Sequence, residues 1–349
     1  MKNSSRRLLY RSFNGKLSPE QCLECLRGFS QVLHKNSSLG REISLEDIFK
    51  ILLKQTPNLR CLVVPSYRRF TKFLNNLLKD NDFLGQLRIF DSRMAGSTDL
   101  SSLQWWCPIF RPRQLSYISL ANCEVWNHND IPPEVQISGG LSVRHIEIEA
   151  SVLRYSTLAR LIRNCKRLET FRYDESPSFY DGDSDPGTII RALSLHQDSL
   201  KQLHLDCPSR GEDQNHDQVP KLESLESFLS LEKLYVTQSS LPRCPLLPPS
   251  LKVLDINSRL EPLEPELFHN LGIASHSSLK ALSELYIDLL KFEDYHEGTF
   301  DSFNSRQLRS IFSPEKGVNG EIKNAPQHLC YDLYLEIKLG VDYNTQGCL

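Results

Sequence analysis

The stretch LSVRHIEIEA, residues 141–150, carries apolar residues at Val143, Ile146 and Ile148, separated by two polar residues and then by one. The same spacing returns in RLETFRYDES (167–176), SLKQLHLDCP (199–208) and SLEKLYVTQS (230–239). Because the last two apolar positions are two residues apart, they face the same side of a short strand. One such row cannot bury that side alone, so we expect neighbouring rows to stack and share a continuous core.

This six-residue pattern recurs along most of the chain. The first apolar residues of nine rows are 20 to 32 residues apart, and a weaker tenth row follows after 48 residues. The rows are Leu59/Leu62/Val64, Leu84/Leu87/Ile89, Leu115/Ile118/Leu120, Val143/Ile146/Ile148, Leu168/Phe171/Tyr173, Leu200/Leu203/Leu205, Leu231/Leu234/Val236, Leu251/Leu254/Ile256, Leu282/Leu285/Ile287 and Cys330/Leu333/Leu335. Such an irregular rhythm is typical of leucine-rich repeats and predicts an α/β solenoid, or horseshoe, of about ten helix–strand repeats.

Amphipathic helices are predicted just before several of these strands. The segments are LEDIFKILLKQ (45–55, with Ser44 as N-cap), RFTKFLNNLLK (69–79), STLARLIRNC (156–165) and GTIIRALSLH (187–196). In PPSLKVLDIN (248–257) the connection is short, and we expect a turn in place of a helix. Asn122 and Cys123 follow the third strand, where leucine-rich repeats usually place a ladder of asparagines.

The chain divides into two parts in this interpretation. Residues 1–43 form a basic N-terminal capping segment with a helix over 18–33, and residues 44–349 form the repeat domain. Three polar insertions, 174–187, 207–220 and 292–327, are rich in Gly, Pro, Asp and Ser. We expect them to be exposed, since loops of a solenoid are where variation collects.

The composition is typical of a folded protein without a membrane-spanning segment. Apolar residues make up 40% and charged residues 24% of 349 residues, and no apolar run approaches the roughly 20 residues that span a bilayer. The N-terminus lacks the apolar stretch of a secretory signal. We therefore expect no membrane partner and a cytoplasmic or nuclear location.

The ten cysteines are scattered, which favours reduced thiols over a disulfide framework. Cys61, Cys123, Cys165 and Cys207 stand at or beside apolar repeat positions, where thiols pack as small hydrophobes. The pair Cys22 and Cys25 has the local spacing of a zinc site, but no second close pair exists, so core packing is the favoured interpretation.

The net charge of −2 conceals an asymmetry. Residues 1–80 contain 15 Lys+Arg against 6 Asp+Glu, a balance of +9, which leaves 26 against 37, or −11, for the remainder. Two interpretations stay open: the basic end contacts an acidic partner or an RNA, or it packs as an ordinary basic cap. The end shows no nucleic-acid-binding motif, and we expect no nucleic-acid ligand elsewhere.

The phrase TLARLIRNCKRLETFRYDE (157–175) resembles fungal F-box-like leucine-rich-repeat proteins, in which a helix ending L-x-x-C-x-x-L leads into L-x-x-F-x-Y. The resemblance covers about residues 45–310 by repeat style. LLYRSF (8–13) is similar to a phrase that follows the F-box in that family. The resemblance implies substrate recognition by the repeats and, through the F-box module, binding to the linker subunit of a cullin ubiquitin ligase.

The N-terminus departs from the family pattern. Only seven residues precede LLYRSF, and no Leu-Pro-x-Glu helix start lies near it. We expect the F-box module to be missing or truncated. Three alternatives remain: a shortened paralogue, a gene model lacking its first exon, or a stand-alone structural or regulatory repeat protein without a ligase link.

Side chains that alternate with the core positions are predicted to form the concave, partner-binding face. From the fourth row onward, the residues after the last apolar position are mostly acidic, and those between the two strand apolars include three tyrosines. The candidate residues are Glu147, Glu149, Arg172, Asp174, His204, Asp206, Tyr235, Asp255, Tyr286, Asp288, Tyr334 and Glu336, with Thr237 and Asn257 in the same columns.

Two interpretations of this face compete. Like charges can simply keep a solvated surface soluble, or they can form a groove for a basic, extended segment of a protein partner. A phosphate backbone would be repelled by such a groove.

The sequence offers no catalytic signature. No phosphate loop, zinc-protease motif or nucleophile elbow occurs. Among the histidines, His128, His196 and His276 lie beside polar or loop residues, and His145 and His204 fall on strands at non-equivalent positions. We expect no enzyme activity, no cofactor and no metal site.

Overall fold

The computed structural model describes residues 58–64, 72, 74–75, 84–92, 100–110, 113–125, 140–176, 186–206, 221–258, 263–290 and 332–338. Several predictions fall outside these residues and stay predictions. They concern the capping segment 1–43 with Cys22 and Cys25, the helix 45–55, His128, Cys207, the insertions 207–220 and 292–327, and the middle of the insertion 174–187.

The described strands form a mostly parallel sheet, so the fold class is α/β. The strands are β1 Cys61–Val63, β2 Ile89–Asp91, β3 Ser101–Ser102, β4 Tyr117–Ala121, β5 Cys123–Glu124, β6 His145–Ser151, β7 Thr170–Glu175, β8 Gln202–Asp206, β9 Lys233–Thr237, β10 Val253–Asn257, β11 Glu284–Leu290 and β12 Asp332–Lys338. Ten of them pair in the order β1-β2-β4-β6-β7-β8-β9-β10-β11-β12, and the short β3 and β5 pair separately. A strand is present at each of the first nine rows. The second row is wrong in its core residues, however: Phe90 rather than Leu87 aligns with Leu62 and Ile118, and Ile89, predicted as a core residue, is partly exposed.

The same pair of backbone hydrogen bonds precedes each new parallel strand. The amides of Glu169 and Thr170 both donate to the carbonyl oxygen of Arg144, at 2.8 and 3.0 Å. This arrangement recurs at every step from the carbonyl of Arg60, before β1, to the carbonyl of Lys252, before β10. One acceptor therefore holds two donors of the next strand, which sets the register before the regular ladder begins.

Register brings equivalent row positions into direct contact across the sheet. One core column consists of Phe90, Ile118, Ile146, Phe171, Leu203, Leu234, Leu254 and Leu285. The next consists of Leu120, Ile148, Tyr173, Leu205, Val236, Ile256 and Ile287. All are buried in one apolar cluster, as the period-two alternation predicts for every row except the second, which named Leu87 and Ile89 but not Phe90.

Helices add their apolar sides to this cluster. The helix α1, Tyr155–Asn164, and the helix α2, Pro186–Leu193, confirm two predicted helices. A 3-10 turn, Ser194–His196, extends α2. Before β10 the chain turns without a helix, also as predicted. Of the helix predicted over 69–79, the structure describes only residues 72, 74 and 75, which are helical.

Three described helical elements were not predicted. They are α3, Pro265–Ser277, a 3-10 helix, Leu103–Phe110, and a short 3-10 turn, Gln238–Ser240, that follows β9. α3 starts with proline in its first turn and buries Leu267, Phe268 and Leu271. In the 3-10 helix, Trp106 is fully buried with its ring centroid 5.2 Å from that of Phe90. Among the described residues, no helix has both the length and the apolar character needed to cross a membrane.

Serine hydroxyls supply the described side-chain hydrogen bonds where an asparagine ladder was predicted. The amide of Cys123 donates to Ser151 Oγ at 2.9 Å, and Ser151 Oγ donates to the carbonyl of Glu149 at 2.8 Å. Ser92, after β2, makes both of its bonds to the following row: its hydroxyl donates to the carbonyl of Ser119 and accepts from the amide of Ala121. A buried hydroxyl can both donate and accept, so it satisfies the turning backbone as an amide side chain would.

The tenth row runs in the opposite direction to the other strands. β12 pairs with β11 in antiparallel orientation, with Leu335 opposite Ile287 and Leu333 opposite Leu289. The prediction that this row repeats the helix–strand unit is therefore wrong in orientation, although its strand does join the sheet.

Candidate partner-binding face

The outward face is the side of the sheet opposite the core columns. Its inner column consists of the residues between the two buried positions of each strand. On β6 to β11 these are Glu147, Arg172, His204, Tyr235, Asp255 and Tyr286, which are consecutive register partners. All six are partly exposed. The predicted column is thus one continuous row of side chains.

The second column, one position after the core, is less regular than predicted. Asp174 and Asp206 are register partners on β7 and β8. Between Ile148 and Ser151 the register of β6 against β7 shifts, and Ala150 has a φ of 47°. This bulge adds a residue to β6, which moves Glu149 out of line with Asp174. The acids therefore form a pair rather than the continuous ladder that was predicted.

Because β12 is antiparallel, its residues align with the opposite columns from those predicted. Tyr334 is the register partner of Asp288, and Glu336 is the partner of Tyr286. The prediction placed Tyr334 beside Tyr286 and Glu336 beside Asp288, and the structure corrects both assignments.

Arg172 carries a positive charge in the middle of the acidic residues. Its Nη1 lies 3.2 Å from Glu149 Oε1, and both side chains are partly exposed. The pair crosses from β7 to β6 beside the bulge. One predicted carboxylate is therefore neutralised within the face.

Asp206 is held by an amide from two strands away. Asn257 Nδ2 on β10 donates to both carboxylate oxygens of Asp206 on β8, at 3.1 and 3.2 Å. Thr237, on the strand between them, is buried. The two side chains lean toward each other over the shorter threonine, so the carboxylate has a defined position.

His204 and Tyr235 form a stacked pair at the centre of the face. Their ring centroids are 3.8 Å apart and their planes differ by 10°. Burial, and secondarily the nearby Arg172 charge, lowers the pKa of His204 to about 3. The imidazole is therefore neutral near pH 7. Within the described part of the chain, its buried Nε2 has no hydrogen-bond partner.

Tyr286 is oriented by a neighbour on its own strand. Its hydroxyl donates to Glu284 Oε2 at 2.7 Å. In register, Asp255 lies between Tyr286 on β11 and Tyr235 on β9. A carboxylate thus separates two aromatic rings along the inner column.

The other end of the outward face is apolar. On β1, β2 and β4 the inner column consists of Val63, Asp91 and Ser119, and the position two residues earlier on the same side of each strand holds Cys61, Ile89 and Tyr117. Of these, Cys61, Val63, Ile89 and Tyr117 are apolar or aromatic and partly exposed. Asp91 is the carboxylate on these three strands, and Ser119 is buried. The predicted face began only at the fourth row, so this change of character was not predicted.

A ladder of alternating charges along the N-terminal edge of the strands was also missed. Glu169 lies 3.4 Å from Arg144, 3.8 Å from Arg167 and 3.2 Å from Lys201. On the next rows, Lys252 lies 3.0 Å from Glu232. The signal was present in the rows, because their second positions read Arg144, Glu169, Lys201, Glu232 and Lys252 in order.

These cations lower the pKa of the acids that they contact. For Glu169 the hydrogen bond from Lys201 is the largest cause. For Glu232 it is the bond from Lys252. The five ladder positions carry three cations against two carboxylates, so the excess of carboxylates on this surface belongs to the outward face.

Packing and hydrogen bonds account for the surroundings of two histidines, His196 and His145, and of two cysteines, Cys123 and Cys165. His196 is buried, its Nδ1 accepting from the Leu168 amide at 3.3 Å and its Nε2 donating to the Ile162 carbonyl at 3.0 Å. His145 Nδ1 lies 3.1 Å from Thr170 Oγ1, and burial lowers its pKa. Burial raises the pKa of Cys123 and of Cys165 to about 12, so both thiols stay protonated.

The described cysteines, Cys61, Cys123, Cys165 and Cys244, are free thiols. Over the same described residues, no three His, Cys, Asp or Glu side chains are grouped so that they could hold a metal ion.

A scan against protein-family models matches no family. A search of curated proteins finds no significant match. The resemblance to F-box-like proteins accordingly stays a prediction from the sequence.

Proposed function

We propose that this protein is a non-catalytic interaction scaffold, a leucine-rich-repeat solenoid whose outward face binds a basic, extended segment of a partner protein. The observation that carries the proposal is the charge of that face. On β6 to β10 it holds five carboxylates, Glu147, Glu149, Asp174, Asp206 and Asp255, against Arg172 and Lys233. Two cations against five anions leave −3 on these strands.

Dimensions of the face suit an extended segment. Five neighbouring parallel strands span about 20 Å, at roughly 4.8 Å between strands, which matches about six residues of extended chain. Charge attraction would steer a basic segment to the face, and partly exposed aromatic side chains would supply contact area. The repeated hydrogen-bond pattern before each strand supports the solenoid part of the proposal, because it makes successive rows equivalent.

Within this proposal, two biological roles remain distinct. The resemblance of residues 157–175 to F-box-like proteins favours the substrate-recognition part of a ubiquitin-ligase adaptor. The alternative is a stand-alone regulatory scaffold that uses the same face and has no ligase link. Mixing the purified chain with the linker subunit of a cullin ligase separates the two: co-elution supports the adaptor, and separate elution supports the stand-alone scaffold.

A charge-reversal experiment tests the face itself. The full chain and its Asp174→Lys/Asp206→Lys variant are titrated with a fluorescein-labelled hexa-arginine peptide at low salt, and anisotropy is measured. We expect the variant to bind at least about tenfold more weakly, because the face changes from −3 to +1. The matched control is Asp198→Lys/Glu226→Lys, which makes the same charge change at exposed positions away from the strands. Equal binding by the two variants would contradict the proposal.

A further inference from the structure

Three register partners on adjacent strands form what we call the tyrosine slot: Tyr235 on β9, Asp255 on β10 and Tyr286 on β11. All three side chains are on the outward face and partly exposed. The central aspartate is short, whereas the residues on either side are aromatic. Two rings therefore stand as walls on strands about 10 Å apart, with a carboxylate between them.

Both walls have defined positions. Tyr235 is backed on its β8 side by the His204 ring, 3.8 Å away and nearly parallel. Tyr286 is held through its hydroxyl, which donates to Glu284. A site with fixed side chains loses little conformational entropy when a ligand enters, so this arrangement is favourable for binding.

Spacing and charge both select a cation. A group over β10 lies about 5 Å from each of the two strands that carry the rings, and a cation is attracted to an aromatic face over a range of roughly 6 Å. The carboxylate of Asp255 lies at the base, and Asp206, fixed by Asn257, lies on the adjacent β8. Glu284 adds a further negative charge on β11.

We propose that the tyrosine slot binds the guanidinium group of an arginine in the partner segment. The inference rests on the proposed function and names the side chain that the face recognises. A guanidinium is planar and stacks on aromatic rings, while its fork of N–H donors matches a carboxylate. The ammonium of lysine has the same charge but neither the plane nor the fork. The slot is therefore selective for arginine over lysine.

Two peptides of equal charge test this selectivity. Fluorescein-labelled hexa-arginine and hexa-lysine are titrated against the full chain at the same salt concentration. We expect hexa-arginine to bind about tenfold more tightly. Tyr235→Leu and Tyr286→Leu should each reduce this preference to below about twofold while changing the affinity for hexa-lysine little, since the charge of the face is retained.

Three further variants make the test specific. Tyr117→Leu removes a tyrosine from the apolar end of the same face and should retain the preference. Tyr286→Phe keeps the ring and loses the bond to Glu284, so it too should retain most of the preference. Asp255→Asn should weaken binding of both peptides. Thermal unfolding of each variant verifies that it is folded.

The outcomes separate this inference from the proposed function. Equal affinity for the two peptides, or a preference that survives both leucine variants, overturns the slot and leaves a basic-segment scaffold intact. Failure of the full chain to bind either peptide overturns both proposals.

Discussion

The two ends of the outward face stand on the same backbone but present different side chains. On β1, β2 and β4 the outward positions include Cys61, Val63, Ile89 and Tyr117, whereas on β6 to β10 they carry five carboxylates and a stacked His204–Tyr235 pair. Behind both ends lie the same buried columns and the same hydrogen-bond pattern before each strand. The difference shows that the same core columns and backbone bonds accept outward side chains of different character.

The largest expected effect is the loss of stability when a core phenylalanine is removed. Comparing one such residue from each end tests whether both ends depend equally on the core. Phe90 and Phe171 occupy the same core column and are both fully buried. Phe90→Ala and Phe171→Ala should each lower the free energy of unfolding by about 3–5 kcal/mol, because each leaves a cavity as well as losing apolar burial. Urea denaturation measures this. A variant that unfolds in two separate transitions would show instead that the two ends are independent units.

A pH dependence should distinguish the acidic end, through His204. Its folded-state pKa is lowered to about 3, below the unfolded value of 6.5, so between these values the unfolded state binds more protons. The contribution of neutral His204 to stability is present above about pH 6.5 and is lost as pH falls, by up to about 1.4 kcal/mol per pH unit.

This dependence is measured by urea denaturation at pH 7 and pH 5. Relative to a His204→Phe variant, which keeps an aromatic ring beside Tyr235, the native chain should lose about 2 kcal/mol more between these pH values. His276→Gln at an exposed site of α3 serves as the control and should follow the native chain. Parallel behaviour of the native chain and His204→Phe would refute the assignment.

The smallest effect concerns the charge ladder beside the acidic end. Glu169 contacts Arg144, Arg167 and Lys201, whereas the equivalent positions before β1, β2 and β4 are Arg60, Arg88 and Ser116. Glu169→Gln should lower the free energy of unfolding by about 1 kcal/mol or less at low salt, since partly exposed ion pairs are weak.

Salt and pH should both diminish the Glu169 contribution. High salt screens it. The pKa of Glu169 is lowered in the folded chain, so its stabilisation is present above the unfolded pKa of 4.5 and is lost as pH falls through the folded pKa. Urea denaturation of Glu169→Gln measures the effect at 0.1 and 1 M NaCl, where the Debye length is about 10 Å and about 3 Å, respectively. Exposed Glu226→Gln serves as the control. An identical loss at both salt concentrations would rule out an electrostatic origin.

Much of the sheet could be predicted from the rows. Alternation of apolar and polar residues places Ile146 and Ile148 on one side of a strand and Glu147 on the other, and a one-residue slip would turn the apolar side to solvent. The inner column from Glu147 to Tyr286 follows from this rule. α3 was missed although Pro265 at its start and the apolar residues Leu267, Phe268 and Leu271 are visible in the sequence.

Other features have no signal in a single row. The pattern Leu333-x-Leu335 is the same when read in either direction, so it predicts a strand but not whether that strand is parallel or antiparallel. Nor does the alternation predict the bulge at Ala150, which removes Glu149 from the acidic ladder.

For the first nine rows other than the second, the sequence by itself determined where a strand forms, which side of it is buried and which residues share the inner column. These properties depend on local alternation and on the requirement that apolar surface be buried. Tertiary structure decided the direction of β12, the bond between Asp206 and Asn257, 51 residues apart, and the spacing of Tyr235 and Tyr286 around Asp255. Each of these depends on side chains or strands that are distant in sequence and meet only when the sheet has assembled.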